Sequence, residues 1–131
     1  MPLNYRSKIL ASFFLILLGA LIMFILQYFQ NTHAPPSGEY YYSKLLRLNF
    51  TCIAILLYTI TGFTIGYFFQ INYFLVGLCL TGIFPITSII ESTIYPGSHN
   101  LIPFEFAVFF VYSLPSTFAA LTGKWLHKKY N

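Results

Sequence analysis

Glu91, His99 and Glu105 are the residues whose types and spacing come closest to chemistry. They fall within fifteen residues, in the stretch Glu91-Ser92-Thr93-Ile94-Tyr95-Pro96-Gly97-Ser98-His99-Asn100-Leu101-Ile102-Pro103-Phe104-Glu105. Two carboxylates and an imidazole, with His33 as a further ligand, can hold a hard or borderline metal ion. Either Glu paired with His99 can work as an acid–base couple. The same residues together with Asn100 also suit an outward ligand or partner surface, or the mouth of a pore. The ligand spacings of dedicated metal sites, H-x-x-x-H or C-x-x-C, are missing. No residue is therefore assigned as catalytic or as a metal ligand, and no cofactor is expected. A purely structural role uses the same residues. Asn100 can cap a following helix with Pro103 in its first turn, Glu105 suits the positive end of that helix, and Pro96-Gly97 is an ordinary turn.

Whatever these residues do, they must be held in a setting that the composition restricts. The chain has 131 residues, of which 57% are hydrophobic and 8% charged. Seven Lys/Arg and three acidic residues give a net charge of +4, with a mean hydropathy of +0.70. A soluble domain is about 25% charged, so this chain cannot cover a water-facing surface. Disorder needs the opposite composition, and two Cys cannot make a disulfide scaffold. All three acidic residues are Glu, at 39, 91 and 105. Without an Asp, an aspartyl dyad, an aspartyl-phosphate and a Ser-His-Asp triad are excluded. The basic residues lie beside apolar runs, which points to membrane orientation rather than nucleic acid.

The expected architecture is an all-α integral membrane protein with one domain over residues 1–131. A bilayer core of about 30 Å takes roughly 20 helical residues. Four apolar segments qualify, over residues 9–29, 48–69, 73–90 and 104–123. A signal peptide is a poor reading of the first, which is longer than the usual apolar core and lacks a good small-residue cleavage site. Pro35, Pro36, Ser37 and Gly38 mark the linker before the second segment, and Gln70-Ile71-Asn72 makes a tight turn before the third. Tyr5, Tyr28, Tyr67, Tyr73, Tyr95 and Trp125 fall near segment ends, where amphipathic rings prefer to sit, and Tyr40–Tyr42 reads as a further interfacial belt.

Four up-and-down spans place both termini on one side. Arg6, Lys8, Lys124, Lys128 and Lys129 lie there, against Lys44 and Arg47 on the other. The positive-inside rule then puts both termini in the cytoplasm, with Lys44 and Arg47 snorkelling to the outer headgroups. No charge falls in the middle of a span, and intramembrane charges are what proton relays and ion-coupled carriers use. In size and span count the chain resembles the small four-span multidrug exporters. Those carry a Glu in the first span, and residues 9–29 hold none, so an exporter role does not follow.

Small and polar residues recur on one face of each segment: Ser12, Gly19, Met23, Gln27 and Gln30; Thr59, Gly62 and Gly66; Gly77, Thr81, Pro85 and Ser88; Tyr112, Ser116, Ala119 or Ala120, and Gly123. Gly62, Gly66, Gly77 and Ser116 are the expected packing positions of a four-helix transmembrane bundle, with homodimerisation through Gly62-x-x-x-Gly66 as the competing use. Pro85 and Pro115 are expected to interrupt their spans, with Thr81 and Ser116 satisfying the freed carbonyls. Cys52 and Cys79 are expected about 15 Å apart in depth, hence as two free, buried thiols. The sequon Asn49-Phe50-Thr51 sits at the mouth of a span and is discounted.

These features lead to the expectation of a small non-enzymatic accessory or assembly subunit of a membrane complex, in a bacterial cytoplasmic membrane. Its partners are the lipid bilayer and another membrane protein or further copies of itself, not nucleic acid. The alternatives are a small oligomeric pore or transporter, and an outward metal or acid–base site on Glu91, His99 and Glu105.

Overall fold

A computed structural model describes residues 5–30, 38, 40–69, 71–98 and 102–130. His33, Glu39, Gln70, His99 and Asn100 lie outside the described residues. Among those described, the fold is all-helical, with six helices: α1 (Tyr5–Gln30), α2 (Tyr41–Asn49), α3 (Cys52–Phe69), α4 (Tyr73–Leu80), α5 (Ile83–Ile94) and α6 (Ile102–Tyr130). α1, α3 and α6 are long and apolar enough to cross a membrane. α4 and α5 meet at 47° and make a fourth candidate when counted as one broken span. Large apolar side chains cover the outside, among them Leu10, Phe14, Phe24, Phe68, Phe104 and Phe118. Such a surface is stable against lipid hydrocarbon rather than water.

Hydropathy alone runs the second segment without interruption from residue 48 to 69, and here the structure differs. A separate short helix, α2, ends at Asn49, and α3 begins at Cys52. The break is hidden in the sequence because Phe50 is itself apolar. Its ring leaves the helix axis to stack on Tyr112, with centroids 4.2 Å apart, and to meet Phe84 edge-on at 5.3 Å. α2 is amphipathic: Ser43, Leu45 and Asn49 are buried, whereas Tyr42, Lys44, Arg47 and Leu48 are exposed. Asn49 is 1% exposed and donates through Nδ2 to the Leu45 carbonyl at 2.9 Å. The sequon asparagine is therefore closed to modification in the folded chain.

The break between α4 and α5 follows from Pro85. A proline ring clashes with the carbonyl four residues earlier, which here belongs to Thr81. The helix gives way there and restarts with Pro85 in the first turn of α5, where no intrahelical donor is needed. Phe84 N–H donates to the Thr81 carbonyl at 3.1 Å, Gly82 N–H to the Cys79 carbonyl at 3.0 Å, and the Thr81 hydroxyl to the Gly77 carbonyl at 3.1 Å. The bend thus leaves these polar groups partnered, as lipid requires. Pro115 behaves differently: α6 runs on through it without interruption. The Ser116 and Thr117 hydroxyls both donate to the Ser113 carbonyl, at 2.9 and 2.8 Å.

α3 and α6 form the most extensive interface. Gly62 lies directly on the Ser116 backbone and Gly66 on that of Ala120, so a Cβ at either would overlap main-chain atoms. Gly77 of α4 meets the Thr117 side chain and the Ser113 carbonyl of α6, and Gly19 of α1 meets the Leu80 carbonyl. Small residues let helix backbones approach when no hydrophobic effect drives them together. The Gly62 and Gly66 face is filled by α6 of the same chain. At the centre, Tyr58 is fully buried and donates its hydroxyl to the Gly19 carbonyl at 2.9 Å. Val76, Leu80, Phe84, Met23 and Ala120 belong to this core.

Cys52 and Cys79 are both free, but the expectation that both are buried needs correction. Cys52, the first residue of α3, is exposed, and Cys79 is half-buried. The chain break at Phe50-Thr51 places Cys52 on an outer turn rather than inside a continuous span.

Candidate functional site: the α2 strap

The two carboxylates of the 91–105 stretch meet α2. Glu91 sits in the last turn of α5, 2% exposed. Its Oε1 accepts the backbone N–H of Tyr42 at 2.6 Å and that of Ser43 at 3.3 Å, and Oε2 also accepts from Ser43 at 3.3 Å. Tyr42 and Ser43 are the second and third residues of α2, and two of the four N–H groups that a helix start leaves without an intrahelical partner are theirs. Tyr40, the residue that should cap the helix, provides no side-chain cap. Glu91 supplies that cap from another helix, and its charge also suits the positive end of the α2 dipole.

Glu105, in the first turn of α6, serves the other end of α2. Its Oε2 lies 3.4 Å from Nη2 of Arg47, and the Arg47 guanidinium carbon stands 5.7 Å from the centroid of Phe109. Phe109 is one turn along α6 from Glu105, so one helix face supplies both an ion pair and a ring. The two carboxylates hold opposite ends of α2. From Tyr42 to Arg47 the helix rises about 7.5 Å, so Glu91 and Glu105 do not converge on one point. Among the described residues no group of three His, Cys, Asp or Glu side chains can hold a metal ion. His99 and Asn100 lie outside the described residues.

Between Glu91 and Glu105 the chain turns at Tyr95-Pro96-Gly97-Ser98. Ser98 N–H donates to the Tyr95 carbonyl at 3.0 Å, and Gly97 has φ +100°. A Pro-Gly pair with glycine in the left-handed region is a type II turn, which glycine adopts without strain. The Ser98 hydroxyl lies 3.4 Å from the Glu91 carbonyl and ties the turn back to α5.

Two clefts flank the first turn of α2. One, of about 370 Å³, is lined by Gly38, Tyr41, Tyr42, Glu91, Ile94 and Tyr95. The other, of about 290 Å³, lies among α1, α2 and α5, with Phe24, Leu45, Leu46 and Ile83 in its wall. Tyr41 and Tyr42 line both.

Reading the sequence alone misses Tyr42, Ser43, Arg47 and Phe109 as partners of the two carboxylates. Tyr42 and Ser43 take part through backbone N–H groups, which leave no mark in residue type. Arg47 reads as a snorkelling residue because nothing local points to Glu105. Comparison with protein-family profiles, with curated proteins and with solved structures gives no match for this chain.

Proposed function

We propose that the chain is a four-helix transmembrane bundle with both termini in the cytoplasm, acting as a non-enzymatic accessory or assembly subunit of a membrane complex. The observation that carries this reading is the use made of Glu91 and Glu105. Both carboxylates of the outer stretch hold α2 in place, which is a structural task rather than a chemical one. The bent pair α4–α5 counts as the third span in this topology. Arg6, Lys8, Lys124, Lys128 and Lys129 then lie inside, as the positive-inside rule favours, and a bacterial cytoplasmic membrane is the proposed setting.

Association is supported by α1. It carries the most apolar window of the chain's candidate spans, and only 22% of that window is buried within the fold. Phe13, Phe14, Leu17, Leu21 and Phe24 face outward from it. Lipid or a transmembrane helix of a partner protein can cover such a face.

The test is affinity purification of the full chain in mild detergent, with identification of bound proteins. Recovery of a defined membrane-protein partner, lost on polar substitution at Phe14 and Leu21, is the expected result. Recovery as a lone monomer overturns the proposal. Conductance or flux in liposomes containing the protein alone would replace it with a pore or carrier.

A further inference from the structure

We infer that the two clefts beside α2 form one binding site for an amphiphile with an ammonium headgroup, its head among Tyr41, Tyr42, Tyr95 and Glu91 and its acyl chain along Phe24, Leu45 and Ile83. The larger cleft, about 370 Å³, is within the size range of small-molecule sites. Three of its lining residues are tyrosines and one is a carboxylate. Aromatic faces attract organic cations through the ring quadrupole, and clustered rings recognise alkylammonium groups. The carboxylate adds charge of the right sign. Among the described residues neither cleft is lined by Lys or Arg, so the phosphate that all phospholipid heads share is not the group selected there.

The second cleft identifies the rest of the ligand. It shares Tyr41 and Tyr42 with the first, and Phe24, Leu45, Leu46 and Ile83 make its wall mostly apolar, with Gln27 and Thr87 as polar members. One molecule with a cationic head and a hydrocarbon tail satisfies both. A zwitterionic phospholipid with an ethanolamine or choline head has that form.

The experiment uses the full chain in detergent, titrated with phosphatidylethanolamine, phosphatidylcholine and phosphatidylglycerol of identical acyl chains. Bound lipid is counted by native mass spectrometry. The expected result is retention of an ammonium-headed lipid about tenfold better than of phosphatidylglycerol, weakened about three- to tenfold by Tyr95→Leu. Tyr95 is an exposed residue just beyond α5 that bonds to Glu91 and Ser98 through its backbone, so this variant leaves the Glu91 cap intact. Equal retention of all three lipids, or unchanged retention by Tyr95→Leu, overturns the inference. Free choline or ethanolamine competing as well as the whole lipid also overturns it, because the acyl-chain cleft would then contribute nothing.

Discussion

Glu91 and Tyr42 stand 49 positions apart in the chain, yet the Glu91 carboxylate accepts the Tyr42 backbone N–H at 2.6 Å. A single side chain from α5 therefore starts α2. Glu91→Ala leaves the Tyr42 and Ser43 N–H groups without that acceptor and should cost about 1.5–3 kcal/mol, the range for hydrogen bonds to a charged group. Glu91→Gln keeps an acceptor oxygen and should cost less. Thermal unfolding in detergent measures both, and hydrogen exchange at Tyr42 and Ser43 should accelerate while α3 and α6 stay protected. Unchanged exchange in α2 would count against the cap.

The Arg47–Glu105 pair should contribute far less. Arg47 is 40% exposed on its side chain against 14% for Glu105, and pairs with one partner open to solvent are worth about 1 kcal/mol or less. A double-mutant cycle with Arg47→Gln and Glu105→Gln should give a coupling energy below that value, falling further as salt is raised. A larger, salt-independent coupling would mean that the pair is shielded from water.

Gly66→Val should destabilise the fold by about 1–3 kcal/mol, the usual cost of overpacking, because the added side chain meets the Ala120 backbone. Gly38→Ala, with nothing within 4 Å of the new Cβ, should leave stability unchanged. Thermal unfolding compares the two, and an equally mild Gly66→Val would show that α3 and α6 can separate at little cost.

Tyr58→Phe removes one hydroxyl and its bond to the Gly19 carbonyl. Interhelical hydrogen bonds in membranes are worth about 0.6 kcal/mol on average and up to about 1.7, so the loss should fall in that range. Tyr58→Leu should cost more, since it also removes the ring packed 5.9 Å from Phe50. Equal losses in the two variants would assign the effect to the hydroxyl alone.

Cys52 should react with a maleimide faster than Cys79, following their exposed and half-buried positions. Mass spectrometry after timed labelling of the purified protein measures the two rates. Equal rates would mean that α1 and α4 open around Cys79.

The helical class and most of the long apolar segments are legible in the sequence because apolar runs of about 20 residues carry their own signal. The turn at Pro96-Gly97 is legible too, since the left-handed conformation selects glycine. α2 is not. Residues 41–47 are too polar to join an apolar run and read as linker, Leu48 and Asn49 merge into the run of α3, and the break rests on where the Phe50 ring finds Tyr112 and Phe84. The site is legible as a cluster of residues, Glu91 and Glu105, but not as an arrangement. Their partners on α2 are distant in the chain, and two of them are backbone groups that any residue type except proline presents. Pro85 signals a disturbance, but the break falls at Thr81, the residue whose carbonyl the proline ring displaces.

In the proposed four-span topology, the bend between α4 and α5 also bears on the thickness of membrane that the chain matches. Eight and twelve residues rise about 12 and 18 Å along their own axes. At 47° they cannot both stand along the bilayer normal, whereas the 26 residues of α1 reach about 39 Å. The molecule therefore presents a short side and a long side to the hydrocarbon. Taken end to end the bent pair still covers about 28 Å, close to a hydrocarbon core of about 30 Å, so in that topology α1 tilts to shed its excess length while α4 and α5 need no thinning of the bilayer.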